Sequence, residues 1–154
     1  MTFKNESQLK RFLMEKCTKA VANTEKIIHE EFAGNLNQFY TEFKPEEYIR
    51  TGALFNSLEV TGVKRAGNRV VSKIYFNTPT YQHGWVPLQS GGFGHSSWSD
   101  EKILDVVMTG GRAGGRPHGG YEDGTAIWTD TMAKLGGSKG IRNLLKQELK
   151  KQML

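Results

Sequence analysis

Apolar side chains recur in steps of three and four from Leu9 through Phe12, Leu13, Cys17, Ala20, Val21, Ile27, Ile28, Phe32 and Leu36 to Phe39. A helix with 3.6 residues per turn brings such positions onto one face, so the pattern predicts a long amphipathic N-terminal helix. Ser7 stands where a cap would close its first turn, and Gly34-Asn35 predicts an end or a bend in its last third. At 1.5 Å per residue, the roughly 27 residues before that point span about 40 Å, long enough for part of the helix to pack on another subunit. Pro45 disfavours continuation beyond it.

The next segment, Arg50-Thr51-Gly52-Ala53-Leu54-Phe55-Asn56-Ser57-Leu58, predicts a short helix capped by Thr51, with Leu54 and Leu58 one turn apart. Glu59–Arg65 and the β-branched and aromatic run Arg69–Asn77 then flank the turn residues Ala66-Gly67-Asn68. That predicts a β-hairpin, which Pro79 stops. Residues 78–97 mix Tyr81, Trp85 and Phe93 with Gly, Ser and Pro and show no clear period. Ser99-Asp100-Glu101 has the composition of a helix start leading into Ile103, Leu104, Val106 and Val107, with Gly110-Gly111 ending it. Gly110–Gly120 reads as a flexible loop by composition. Residues 125–135 read either as the start of a strand or as a short helix. After Gly136-Gly137, Ser138 opens a terminal helix with Ile141, Leu144, Leu145, Leu149 and Met153 at helical spacing. The elements together predict an α+β fold in one domain over residues 1–154. A long N-terminal helix packs on a small antiparallel β-sheet, with a C-terminal helix and a long Gly-rich loop region.

The length of 154 residues suits one domain with a real core. No run approaches the ~20 apolar residues of a membrane span or the apolar stretch of a signal peptide, so the chain reads as soluble and intracellularly made, with no membrane partner. The lone Cys17 leaves no internal disulfide and no cysteine-built zinc site. The net charge is +5, and it is unevenly placed along the chain. Residues 1–48 sum to −1, residues 49–138 to +2 and residues 139–154 to +4, which locates the basicity mainly in the last element. Residues 84–137 hold 13 of the 18 glycines, which locates the glycine surplus in the loop region.

Catalytic chemistry finds little support. His29, His83, His95 and His118 show no metal-ligand spacing, so no metal site and no cofactor are expected. Ser96, His95 and Asp100 supply the residue types of a hydrolase triad, but no GxSxG elbow accompanies them. Cys17 has the spacing of a small core residue. The Gly-rich loop matches neither a Walker loop nor a dinucleotide loop; its Arg112 and Arg116 give it a slight likeness to arginine–glycine nucleic-acid segments. The terminal helix sets Lys139, Arg142, Lys146, Lys150 and Lys151 opposite its leucines. That face suits phosphate or an acidic partner, and suits an ordinary solvated helix end better.

The order of long helix, the 50–58 string and hairpin resembles the HK-ninety-seven-type neck, tail-completion or head–tail joining family of tailed bacteriophages. The family's string is Thr-Gly-x-Leu-x-x-Ser followed by Leu or Ile, here Thr51, Gly52, Leu54, Ser57 and Leu58. Each letter has a physical sense: Thr51 caps, Gly52 permits a close turn, Leu54 and Leu58 anchor, and Ser57 bonds locally. The likeness covers residues 7–84 and the terminal helix, with 85–124 as an enlarged flexible loop region. Tyr81-Gln82-His83-Gly84 departs from it in having His83 where a glutamate is expected. Ala126-Ile127-Trp128 stands in place of a Pro-Phe pair.

The resemblance implies a structural virion protein, not an enzyme, assembled in the bacterial host cytoplasm and located in the neck or tail. Its partners would be a connector ring, tail terminator or tail tube. The chain would act by forming, or by docking on, a ring around the DNA channel, as a homo-oligomer when assembled and with DNA nearby. The alternative expectation is a small basic nucleic-acid-binding protein. It would use the terminal helix, through Arg142, Lys146, Lys150 and Lys151, together with Arg112 and Arg116.

Overall fold

The computed structural model describes residues 2–42, 52–77, 112–113, 116–117 and 127–154. Among these residues ten elements follow in order: α1 (Glu6–Glu42), α2 (Ala53–Asn56), β1 (Leu58–Val60), β2 (Lys64–Ala66), β3 (Arg69–Val71), β4 (Ile74–Phe76), β5 (Arg112–Ala113), β6 (Arg116–Pro117), α3 (Ile127–Lys134) and α4 (Gly137–Met153). The fold is mixed α+β, with a long N-terminal helix, small antiparallel two-stranded sheets and C-terminal helices packed on α1. The chain packs as two compact units. Unit 1 comprises Met1–Glu30, Val60–Ile74 and Leu135–Leu154; unit 2 comprises Glu31–Glu59 and Tyr75–Lys134.

α1 begins one residue before Ser7, and its cap is Asn5. The Gln8 N–H donates to Asn5 Oδ1 at 2.9 Å, and Gln8 Oε1 accepts from the Lys4 N–H at 3.0 Å. The first bond satisfies an amide that the first turn leaves open, and the second ties down Lys4 just ahead of the cap. The helix then runs 37 residues, straight through Gly34-Asn35. The expected break is absent because Asn35 is buried and its amide finds a partner far along the chain, as described for unit 2.

In unit 1, the hairpin tip and α4 lie against the first part of α1. Arg65 Nε donates to Thr18 Oγ1 at 3.1 Å, and Ser72 Oγ donates to Glu25 Oε2. Asn23 Nδ2 donates to Glu148 Oε2 at 3.1 Å, tying α4 to α1. Ala20 and Thr24 are the buried positions on this stretch of α1, with Thr24 Oγ1 turned back onto the Ala20 carbonyl. Cys17 is half-buried, and Leu9 and Leu13, at 38% and 40% exposure, remain open to solvent. Phe12 instead meets Phe3, ring centroids 5.2 Å apart.

The hairpin is interrupted. β2 pairs with β3 in the register Lys64↔Val71, Arg65↔Val70, Ala66↔Arg69, with Gly67 at φ +60 in the connecting turn. β1 pairs with β4. Between the two ladders, the first arm has Thr61-Gly62-Val63 and the second only Ser72-Lys73. That is one residue more on one side, as in a β-bulge, and Gly62 takes it up at φ +65. Thr61 holds the break from both sides: its N–H donates to the Lys73 carbonyl at 2.9 Å, and its Oγ1 accepts from the Lys73 N–H at 3.0 Å.

The terminal helix starts at Gly137, one residue before the expected Ser138, and Gly136 precedes it at φ +73 with no side-chain cap. Gly140 is obligatory here, because a Cβ on it would stand 1.8 Å from the Leu135 carbonyl oxygen. Ile141, Leu144, Leu145 and Leu149 are half-buried, while Met153 is exposed.

Unit 2 holds the apolar core. Phe32, Leu36, Leu54 and Ile127 are all buried, and Phe32 meets Phe76 edge-on at 6.1 Å and Trp128 at 5.2 Å. Of the two readings of 125–135, the helix forms, as α3. Asn35 Nδ2 donates to Thr131 Oγ1 at 2.6 Å, Thr131 Oγ1 donates to the Ile127 carbonyl at 2.6 Å, and Lys134 Nζ donates to Asn35 Oδ1. Lys134 also pairs with Glu31 at 3.6 Å. Within the expected loop Gly110–Gly120, β5 and β6 pair antiparallel, Arg112↔Pro117 and Ala113↔Arg116. Gly114-Gly115 separates them in sequence, a pair that two-residue hairpin connections favour. The expected helix after Ser99, the Tyr81–Gly84 string and Pro45 lie outside the described residues.

Candidate functional site

The 50–58 string folds as a tight connection in unit 2. Gly52 has φ +74, a conformation L side chains rarely adopt, which is why glycine stands there. The Asn56 N–H donates to the Gly52 carbonyl at 3.0 Å, closing the single turn of α2. Leu54 is buried, and Ser57 is fully buried with its Oγ donating to the Leu54 carbonyl at 2.8 Å. The Ser57 carbonyl accepts from the Asn77 N–H at 2.7 Å, which joins the turn to the far end of β4. Leu58 does not extend the helix as its spacing with Leu54 predicts; it opens β1 and is half-buried. The backbone turns at Ser57 because that hydroxyl satisfies a carbonyl the helix would otherwise use. Thr51 lies outside the described residues. Gly52, Leu54, Ser57 and Leu58 therefore act as a structural joint.

Beside this joint, Glu59 on β1 accepts from Tyr75 Oη and from Asn77 Nδ2, each at 2.7 Å. The Asn77 bond, then the Tyr75 bond, hold the Glu59 carboxyl below its ordinary pKa; the same Glu59 bond raises the Tyr75 phenol. These groups form a satisfied cross-strand cluster.

The basic residues are gathered differently from their order in the chain. Unit 1 carries 15 Lys and Arg against 5 Asp and Glu, a net charge of +10; unit 2 carries 6 against 11, a net charge of −5. The terminal helix contributes Lys139, Arg142, Lys146, Lys150 and Lys151, all exposed. Lys151 is engaged within its own helix: its Nζ donates to Glu148 Oε1 at 2.5 Å. Glu148 is buried, and the Lys151 bond, followed by the Asn23 bond, holds its carboxyl below the usual range.

The hairpin tip adds Lys64, Arg65, Arg69 and Lys73, all exposed. A shallow groove of about 340 Å³ runs between α1 and this tip, lined by Ser7, Lys10, Arg11 and Met14 from α1 and by Arg65 and Gly67 from the hairpin. Sequence reasoning missed these hairpin and α1 cations. Their signal was the stretch 60–74, with four cations and no acid, hidden when charge was summed over 49–138. Arg112 on β5, opposite Pro117, and Arg116 on β6, opposite Ala113, belong to unit 2 and so are not part of the unit 1 set.

Among the described residues, no three His, Cys, Asp or Glu side chains gather as metal ligands. His83, Ser96, His95, Asp100 and His118 lie outside the described residues. No helix among the described residues is long and apolar enough to cross a membrane.

These features define a mixed α+β protein built on one long helix, with a buried structural joint in one unit and a strongly cationic surface in the other. The chain belongs to the YomN family, whose model matches residues 5–151. No curated protein and no solved structure matches it.

Proposed function

We propose that this chain is a structural virion-assembly protein of a tailed bacteriophage, acting in tail completion or head–tail joining. The observation that carries the reading is the joint at Gly52–Leu58. The string shared with neck and tail-completion proteins lies between a long helix and a hairpin, and its described residues each have a folding role. In this reading, copies of the chain contact one another heterologously around the channel, and such contacts close into a ring when the rotation permits. The exposed Leu9 and Leu13 on α1 support the reading, because they are apolar positions left for a neighbouring subunit.

The test is deletion of the gene from a phage that carries it, followed by electron microscopy of the lysate. The expected result is full heads and tails that are unjoined or incomplete, restored by supplying the gene in trans. Normal numbers of infectious, intact virions would overturn the reading.

A further inference from the structure

We infer that unit 1 binds the phosphate backbone of double-stranded DNA, through a surface made by the hairpin tip and the N-terminal turns of α1. The inference stands apart from the assembly reading, since it concerns what the purified chain binds.

The first argument is charge and its lack of internal compensation. Of the five acids in unit 1, Glu15 pairs with Lys19 at 3.0 Å, Glu30 with Lys26 at 3.8 Å, Glu148 with Lys151, and Glu25 accepts from Ser72. The four hairpin cations and Lys10 form no ion pair with a described acid. Excess charge of one sign on a small surface repels itself and is relieved by a polyanion, with release of its condensed counterions.

The second argument is geometry. Lys10, Arg11 and Arg65 come from two elements and converge on one groove, with the Ser7 hydroxyl and the Gly67 backbone on its wall. Arg65 is aimed by its bond to Thr18, so its guanidinium is held at the groove while still exposed. Lys64 on β2, opposite Val71, and Arg69 on β3, beside the turn Gly67-Asn68, place one cation on each strand of a narrow two-stranded ribbon. A ribbon of that width fits the major groove of B-DNA, with its flanking cations at the phosphates on either side.

The third argument selects duplex over single strand. Single-stranded nucleic acid is held by bases stacked on aromatic rings. Unit 1 contains no aromatic residue in 60–74 or 135–154, and its Phe3 and Phe12 meet each other in a tilted contact, centroids 5.2 Å apart. The surface offers charge without stacking platforms, a combination that gives backbone contact without sequence preference.

The experiment is fluorescence anisotropy of the full chain with a labelled duplex of about 30 base pairs of arbitrary sequence, between roughly 50 and 200 mM salt. A single strand of the same length and poly-glutamate serve as competitors. The expected result is duplex binding whose logarithm falls linearly with that of salt, with both competitors weaker. Replacing Lys64, Arg65 and Arg69 by Gln should weaken binding at least about tenfold at the low-salt end and make the slope shallower by about 0.9 for each phosphate that is no longer neutralised. The pair Lys64→Gln and Arg69→Gln, which spares the Arg65–Thr18 bond, controls for folding and should show the same direction. No duplex binding at low salt, tighter binding to poly-glutamate, or unchanged affinity and slope in both hairpin variants would each overturn the inference. So would loss of binding confined to Lys146→Gln and Lys150→Gln, because that places the interaction on the terminal helix alone.

Discussion

The buried apolar side chains Phe32, Leu36, Leu54 and Ile127 all belong to unit 2, whereas Ala20 is the only described apolar residue that unit 1 buries fully. Fully burying a Phe, Leu or Ile side chain contributes about 1.5–3 kcal/mol. Unit 2 therefore has a core that stabilises it directly. Unit 1 relies on half-buried leucines of α4 and on side-chain bonds at Thr18, Asn23 and Glu25, against the mutual repulsion of a +10 surface. The two units answer different demands. One keeps the fold, and the other presents charge at a cost in stability that a bound polyanion would offset.

The largest expected effect strikes a point where unit 1 packs backbone on backbone. Gly140→Ala would put a Cβ 1.8 Å from the Leu135 carbonyl oxygen. No side-chain rotation relieves it, so urea unfolding should show a loss of about 3 kcal/mol or more. Hydrogen exchange should locate the loss in α4. A wild-type midpoint would mean that the Leu135–Gly140 turn is much looser than described.

Next comes the polar centre of unit 2. Thr131→Val removes the hydroxyl that accepts from Asn35 and donates to the Ile127 carbonyl, leaving buried polar groups unpaired, and should cost about 1–3 kcal/mol. Adding Asn35→Leu should cost less than the two single changes summed, because no orphaned amide remains. Strict additivity in thermal denaturation would show that the two side chains do not act as a pair.

Smaller still, Gly52→Ala at φ +74 should destabilise unit 2 by about 1–2 kcal/mol through backbone strain, since ordinary space surrounds that position. Circular-dichroism melts would measure it, and a gain in stability would contradict the left-handed turn.

The smallest effect is a pH dependence in unit 1. Glu148 has a folded pKa below its unfolded value, because of Lys151 and then Asn23, so its contribution is fully present above the usual carboxylate pKa near 4.5. It is lost as pH falls from there through the lowered value. Glu148→Gln should flatten that part of the acid limb and leave the neutral-to-alkaline part parallel to wild type. Identical acid limbs would count against the bonds of Lys151 and Asn23 to Glu148.

The helices and the hairpin were legible because periodicity and turn composition are local. The apolar steps from Leu9 to Phe39 and the Gly67-Asn68 turn needed no knowledge of distant residues. Gly34-Asn35 misled for the opposite reason: the amide that keeps α1 intact there is satisfied by Thr131, 96 residues away. The cap was open to local reasoning, since Asn5 and Gln8 have capping-box spacing, but Ser7 is an equally good cap by composition. The cationic surface was hidden because folding unites three separate segments, and adding charge along the chain divides what the fold collects.

That union also orders the chain in time. As the protein is synthesised, every residue of unit 2 has been joined by Lys134, whereas unit 1 waits for Leu135–Leu154 to leave the ribosome. The first turns of α1 and the hairpin tip are made early and matched late. Unit 2 can settle its core during that interval, since domains tend to fold as their residues emerge. Leu135–Leu154 then complete the cationic unit, so unit 1 takes its native form after every residue of unit 2 is in place.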